Sequence, residues 1–307
     1  MGTKLLYLVY IRGFQRTVMN VYFRKLKNED IPAIKDISKE IWEGNDYIPY
    51  VIEQWLQEKD CMNYGTFKDK DKTELIGFGR VKLYNKEIAW LEGGRIKASY
   101  QGQGIGKKQL NYAIEYAKKI GVKAAQYDTA SDNYASIKLA KFYGFEQKKC
   151  MDLLMANNED VKLSGKINPN IDVLIADDAK QIYEEFDIGP GEEICIGWSF
   201  IPLKYINDEH GSWLYNKEAI LQKIEFAKPH DYELPLEQEV WMIVYGNPKG
   251  ACDLIQYAIQ KELETKGKKI FEVFCKHDVI DLIKKIGFQY HEDKRFGVLL
   301  FEKSLKK

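Results

Sequence analysis

The run Gln101-Gly102-Gln103-Gly104-Ile105-Gly106, followed by Lys107, sets glycine at alternate positions just ahead of a helical pattern. A strand that turns through glycine into a helix suits phosphate: the amides of the first helical turn lack intrahelical carbonyl partners, and the positive dipole end faces the anion. Glycine at 102, 104 and 106 lets the backbone approach closely where any Cβ would intrude. No lysine-serine or lysine-threonine pair closes the loop, which disfavours a nucleoside triphosphatase. A dinucleotide-binding turn needs its third glycine one residue later and follows the first strand of its domain, and neither holds here.

The elements around this loop are legible from periodicity. Ile88 to Lys97 supplies the strand leading in, and Gly104 to Ile120 the helix leading out, with Leu110, Ala113, Ile114 and Ala117 on one face and Gly121 at its stop. Upstream, Val21 to Leu26 suits a strand, and Asn28 can cap a helix carrying Ile31, Ile34, Ile37 and Ile41, with Pro32 in its first turn. Trp42 to Pro49 is rich in breakers and reads as a loop, followed by a short helix near Val51 to Glu58 and strands at Tyr64 to Lys68 and Leu75 to Leu83. Downstream come a strand at Val122 to Thr129, a helix opened by Asn133 that carries Ile137, Leu139, Ala140 and Phe142 to Gly144, and final strands within Phe145 to Met155. The expected order is β-α-α-β-β-β-α-β-α-β.

At 307 residues the chain exceeds the size at which one core keeps growing, so two domains are expected. We read 1–20 as an N-terminal extension, 21–156 as the domain bearing the loop, 157–170 as a polar linker and 171–307 as a second domain. In that second part, Glu239 to Tyr245 and Lys269 to Lys276 suit strands, and Cys252 to Leu263 and Val279 to Ile286 suit helices. Gly287-Phe288 follows the last helix as Gly144-Phe145 follows the earlier one, which points to a degenerate duplication, with convergence on a cheap helix stop as the alternative.

Lysine plus arginine and aspartate plus glutamate stand at 46 each, so no overall field recruits nucleic acid or an anionic membrane. With 45% hydrophobic and 30% charged residues the composition is that of a soluble globular protein. The five cysteines lack a C-x-x-C pair, which favours reduced thiols and a cytoplasmic location, and the four histidines never reach metal-ligand spacing, so no metal is expected. Leu5 to Ile11 is apolar and imitates a signal-peptide core, but it is too short to span a bilayer and no small-residue cleavage site follows before Arg12 and Arg16. Met19 is the expected natural first residue.

From Leu91 to Phe145 the chain resembles the GNAT superfamily of N-acetyltransferases, whose signature Gln/Arg-x-x-Gly-x-Gly/Ala after the fourth strand is matched by Gln101, Gly104 and Gly106. The superfamily's later asparagine at a helix start, with Gly-Phe at that helix's end, is matched by Asn133, Gly144 and Phe145. The resemblance covers about residues 20 to 155. It implies an α/β fold with a central mixed, mostly antiparallel sheet, followed here by a second, degenerate GNAT-like domain. It also implies acetyl-CoA as co-substrate, with its pantetheine arm along Ile96, Lys97 and Ala98, its pyrophosphate on the amides from Gln101 through Gly102, Gln103, Gly104, Ile105 and Gly106 to Lys107, and Asn133 at the pantetheine or thiol end. As a simple alternative, Asn133 is a helix cap.

Acetyl transfer needs an uncharged amine, so a carboxylate base is expected. The resemblance puts Glu92 there, with Asp128 in reserve; the alternative for Glu92 is an ion pair with Arg95 or Arg80. Many members of the superfamily place a tyrosine acid where Ala140 stands, and Tyr143, almost one turn later, is the candidate substitute, with packing as its other reading. The loop Gly44 to Pro49 and the stretch Leu91 to Arg95 are similar to the branch that includes histidine N-acetyltransferases, which implies a small-molecule amine as acceptor. Asp46 would pair its ammonium and Tyr47 stack on it, while Asn45-Asp46 as a mere turn is the alternative. Other readings are a protein or peptide N-acetyltransferase and a CoA-binding sensor without catalysis. The second domain has Tyr245-Gly246-Asn247-Pro248-Lys249-Gly250 in place of the glycine loop, and Pro248 removes an amide, so no CoA site is expected there. The remaining expectations are no nucleic-acid or membrane partner and a monomer or homodimer.

Overall fold

A computed structural model of the chain describes residues 19–84, 87–164, 170–225, 238–265, 267 and 269–306. Most of the expected N-terminal extension, with the apolar run at 5–11, lies outside the described residues, as do 165–169 of the expected linker. The chain forms two compact units, one of residues 1–125 with 305–307 and the other of 126–304.

The first unit holds β1 (Tyr22–Lys25), α1 (Ile31–Ser38), α2 (Ile48–Gln57), β2 (Cys61–Phe67), β3 (Leu75–Tyr84), β4 (Ile88–Ile96) and α3 (Ile105–Ile120). Its strands lie in the order β1-β2-β3-β4, each antiparallel to the next. Ile34 and Ile37 of α1 and Ile48 and Ile52 of α2 bury against Phe67, Leu75 and Phe78 of the sheet, and each such side chain contributes about 2 kcal/mol through its removal from water. Two local expectations are corrected. Asn28 does not cap α1: a 3-10 turn over Asn28–Asp30 precedes the helix, and the Asp30 carboxylate accepts from the Lys27 amide at 2.8 Å and from the Arg24 guanidinium. Pro49, read as a breaker, sits in the first turn of α2, where a missing N–H costs nothing.

β5 (Ala124–Ala130) carries the chain from one unit to the other. The second unit continues with α4 (Tyr134–Phe142), β6 (Glu146–Asn157), β7 (Asp172–Leu174), α5 (Ala176–Glu185), β8 (Glu193–Cys195), β9 (Phe200–Pro202), β10 (Ser212–Tyr215), β11 (Ala219–Glu225), β12 (Gln238–Gly246), α6 (Pro248–Leu263), β13 (Lys269–Cys275), α7 (Ile280–Lys285) and β14 (Gly297–Ser304). Its main sheet runs β5-β14-β6-β13-β12-β11-β10-β7, with β8 and β9 paired separately. β12 and β13 are parallel, joined by α6 as a crossover helix, while β6 lies antiparallel to both its neighbours. Val240, Met242 and Val244 alternate on β12 and bury with Leu254, Ile255, Ala258 and Ile259 of α6.

The protein is thus a mixed α/β protein with mostly antiparallel strands. From β1 to β6 the order of elements is the expected one, except that a single strand, β6, takes the place of the last strands. The units divide inside β5 and not near 157–170. The reason is that β6 lies between β14 and β13, both distant in sequence, which makes it a central strand of the second unit. Between 171 and 238, where periodicity predicts no element, the described residues form α5 and five strands, β7 to β11, of which β7, β8 and β9 are only three residues long.

The two Gly-Phe junctions end their helices in the same way. Phe145 donates to the carbonyl of Ala140 and Gly144 to that of Lys141; Phe288 donates to Ile283 and Gly287 to Lys284. Both are Schellman stops on a left-handed glycine, at φ 70° and 105°. Their surroundings differ. Gly144→Ala is expected to cost about 1 kcal/mol, the left-handed penalty alone, because a Cβ there meets only the end of Lys303 at 3.4 Å. Gly287→Ala is expected to cost about 3 kcal/mol, because its Cβ would stand 2.0 Å from the Asp160 carbonyl oxygen. Urea midpoints of the full-length variants check this; equal shifts would place the whole cost in φ.

Candidate active site

The glycine loop lies in the first unit. β4 ends at Ile96, a 3-10 turn spans Ala98–Tyr100, and the chain passes through Gly102 and Gly104, both left-handed at φ 74° and 79°, into α3. Gln101 and Gln103 brace this turn from within: their side-chain amides donate to the carbonyls of Ile96 at 3.1 Å and Ser99 at 3.2 Å. Gly104 is the N-cap of α3 and no side chain caps it. A Cβ at Gly102 or Gly104 would meet no atom within 4 Å, so the loop faces open space. Ile105 is buried, so only its backbone is offered outward, while Lys107 is exposed. Some backbone atoms that the resemblance gives to pantetheine have partners within the chain. Lys97 donates to the Ile76 carbonyl at 2.9 Å, and Ala98 to the Glu40 carboxylate at 3.3 Å.

Gln109 is a site residue that sequence reasoning misses. It is buried on α3 and donates to Thr66 Oγ1 at 2.8 Å and to the Arg95 carbonyl at 3.2 Å, pinning the helix behind the loop to β2 and β4. Gly77 leaves room for it, since a Cβ there would come within 2.6 Å of its amide nitrogen. A polar residue one turn after Ile105 and one turn before Ala113, on the apolar stripe of α3, was the available signal.

β4 carries one extra residue opposite β3: Phe78 pairs with Arg95 and Arg80 with Glu92, so Gly79 faces Gly93-Gly94. This bulge turns Glu92 and Arg95 toward the segment 42–58. Arg95 makes a bidentate pair with Asp46, at 2.9 and 3.1 Å, and its guanidinium lies 4.4 Å from the centre of the Trp42 ring and 5.6 Å from that of Tyr47. The Asp46 side chain is fully buried. The expected pairing of Asp46 with an acceptor ammonium therefore meets a carboxylate that already holds a guanidinium. Asn45 shapes the turn, donating from its side chain to the Trp42 carbonyl at 3.1 Å. Tyr47 remains 42% exposed.

Glu92 stands beside Arg80, not Arg95. Arg80 Nε is 3.3 Å from Glu92 Oε1, without the alignment of a hydrogen bond, while Arg80 Nη2 donates to Glu58. Oε1 of Glu92 is buried and has no hydrogen-bond partner among the described residues. Burial pushes the Glu92 carboxyl above its ordinary value, outweighing the pull of Arg80 and Lys82.

In the second unit Asn133 is the N-cap of α4, its Oδ1 accepting from the Ser136 amide at 3.1 Å. Tyr143 ends the same helix, half-buried and edge-on to Phe142, and burial raises its hydroxyl. Ala140 is fully buried, so its position has no room for a tyrosine ring without repacking. Asp128 stands on β5. At the start of α6 the geometry is the reverse of the open loop. Asn247 caps the helix by accepting from the Lys249 amide, and a Cβ at Gly246 or Gly250 would lie 2.5 Å from the Glu218 carbonyl oxygen or its Cβ. No helix among the described residues is long and apolar enough to cross a membrane, and among them no three His, Cys, Asp or Glu form a metal-holding group.

The description of the acetyltransferase (GNAT) family matches residues 31–145. An uncharacterised N-acetyltransferase of Methanocaldococcus jannaschii is 24% identical over 155 residues, 44% of this chain and 68% of that one. Among solved structures, a GCN5-related N-acetyltransferase from Sphaerobacter thermophilus is similar in fold with a TM-score of 0.61 and 11% identity, over 94% of this chain and 96% of that one. The glucosamine N-acetyltransferase region of a fungal multi-domain β-N-acetylglucosaminidase has a TM-score of 0.60 and 13% identity, over 92% of this chain and 38% of that one. The protein is an acyltransferase. Its residues 31–145, less than half of the chain, are similar to the GNAT family of acetyltransferases.

The Asp46–Arg95 pair is out of water, and removing one charge leaves the other uncompensated. Asp46→Asn is expected to destabilise the chain by about 3 kcal/mol. The double variant Asp46→Leu, Arg95→Met is expected to lose less than this single variant. Thermal melts at matched pH test the order, and a double variant worse than the single one would make the pair a net stabiliser.

Proposed function

We propose that the protein transfers the acetyl group of acetyl-CoA to a primary amine of a small molecule, such as a free amino acid. The observation that carries this is the uncapped start of α3 behind Gly102 and Gly104, whose left-handed backbone opens on empty space. A pyrophosphate fits the backbone amides there, with Gln101 and Gln103 holding the turn and Lys107 adding charge. Ile96, Lys97, Ala98 and Asn133 keep the cofactor roles that the family pattern gives them, limited by the partners described above. Acetyl-CoA supplies an activated thioester. The Glu92 carboxylate takes the proton of the acceptor ammonium, and the freed amine attacks the carbonyl carbon; the C–N bond forms as the C–S bond breaks. Tyr143 is the candidate donor to the leaving thiolate.

The exposed Tyr47, with Asn45 and Asp46 fixing its loop, is the acceptor contact in this reading, which follows the histidine-acetylating branch. Residues 171–307 are read as the degenerate GNAT-like module without a CoA site, which the Glu218-filled start of α6 supports. Five unpaired cysteines accord with a cytoplasmic setting. The buried Ala140, where the family often has its acid, favours a second reading: a CoA-binding sensor without turnover.

Thiol release from acetyl-CoA, screened against amino acids, polyamines, aminoglycosides and peptides, separates these. Turnover of one amine, with Glu92→Gln reducing it about a hundredfold and acetyl-CoA affinity kept, supports the enzyme; no turnover across the panel supports the sensor. Gly104→Asp tolerates the left-handed backbone but sets a negative charge at the helix start, and it is expected to weaken acetyl-CoA binding by more than about tenfold. Calorimetry is expected to find one CoA site per chain, and two sites would overturn the reading of the second module.

A further inference from the structure

Glu58 and Glu92, both partly exposed, flank the buried Arg80 in a charge cluster whose geometry is unequal. Arg80 is 2% exposed and lies opposite Glu92 across the β3–β4 ladder. Its Nη2 is spent on Glu58, just past the end of α2, and its guanidinium face stacks 4.3 Å from the centre of the Trp55 ring. Trp55 is itself fixed: its carbonyl accepts from the Asn63 side chain at 2.7 Å, and Gly93, left-handed at φ 64°, leaves the space its ring occupies. Held in this way, Arg80 turns Nε toward Glu92 Oε1 at 3.3 Å, an ion pair without a hydrogen bond, and neither of these buried atoms has a hydrogen-bond partner among the described residues. A guanidinium with a free fork beside a carboxylate closes a bidentate pair. Here Glu58 and Trp55 prevent it.

We propose that Glu58 is a positioning residue for acetyl transfer, holding the Arg80 guanidinium so that it does not close a bidentate pair on Glu92, whose carboxylate is left to take the proton of the acceptor amine. This rests on reading Glu92 as the base. The groups that bear on Glu92 are Arg80 and Lys82 of β3, which favour its ionised form, and Glu58, which opposes it. Burial is the largest influence and raises its carboxyl, so the balance among these charges decides how basic the oxygen is. The proton leaves the amine nitrogen for the Glu92 carboxylate, and Arg80 takes no part in the transfer.

The base must be ionised to act, so kcat/KM rises with pH through the Glu92 ionisation. Replacing Glu58 by Leu removes an opposing charge and frees the Arg80 fork for Glu92; both changes favour the carboxylate. The acidic limb of kcat/KM is therefore expected at lower pH in E58L, with a plateau lowered several-fold, and near its original position in E58D. In R80M it moves to higher pH. Thiol release with the amine turned over fastest in the screen gives the profiles, and carboxyl 13C NMR of Glu92, assigned through E92Q, gives the same ionisation without turnover. A limb and a 13C midpoint unmoved in E58L, with activity lost evenly at every pH, would mean that Glu58 is structural only. Wild-type turnover in E92Q would instead remove the base reading itself. Should E58L fail to fold, E58A likewise removes the charge and the hold on Arg80, and a midpoint unmoved there overturns the proposal equally.

Discussion

Two buried guanidiniums govern the first unit. A cation removed from water without a partner costs several kcal/mol, so Arg80 on β3 and Arg95 on β4 must each find a carboxylate and a low-cost cover. They find both in the stretch 42–58: Glu58 and Trp55 for Arg80, Asp46 and Trp42 for Arg95. The segment is thereby tied to the sheet by charge at its ends and by Ile48 and Ile52 between them. Trp42 accepts a left-handed backbone, φ 47°, which a bulky residue adopts only when its surroundings fix it. Arg95 reaches this stretch from beyond the extra residue in β4, and Arg80 from the strand beside it.

Space, more than charge, separates the two glycine-bearing helix starts. Both follow a strand and both enter a helix of sixteen residues. At α3 the glycines leave emptiness in front of the backbone; at α6 the same residue type admits the Glu218 segment to within contact of Gly246 and Gly250. Asn247 then fills the cap that Gly104 leaves unfilled. Glycine by itself does not make a ligand site. What matters is whether the room it creates is taken by the chain.

This contrast also marks what a sequence can carry. The helices and strands around the loop were legible because their apolar residues repeat at 3.6 or 2, and Gly121 and Gly144 stop helices where expected. The hairpin between β10 and β11 was not. It turns through Lys217 at φ 69° with no glycine, and it is closed by buried Asn216, whose side chain accepts from the amides of Glu218 and Ala219 and donates to the Gly250 carbonyl. The place of β14 beside β6 was equally hidden, because strand pairing over such a separation leaves no local trace. At the site, residue types pointed to Glu92 and to Asp46. Only three-dimensional placement showed that Asp46 already has Arg95 and that Arg80 already has Glu58.

The proposed reaction leans on a base, Glu92, whose carboxyl its surroundings raise. A carboxylate in water is too weak to take much from an ammonium. Burial narrows that gap for Glu92 against the opposing pull of Arg80, which lies 3.3 Å away. The acid side asks for less, since a thiolate with a pKa of about 8.5 leaves readily at neutral pH. In that reaction a buried alanine at position 140 is a tolerable loss. Where the leaving group is good, holding the amine deprotonated and aligned is the larger part of the barrier.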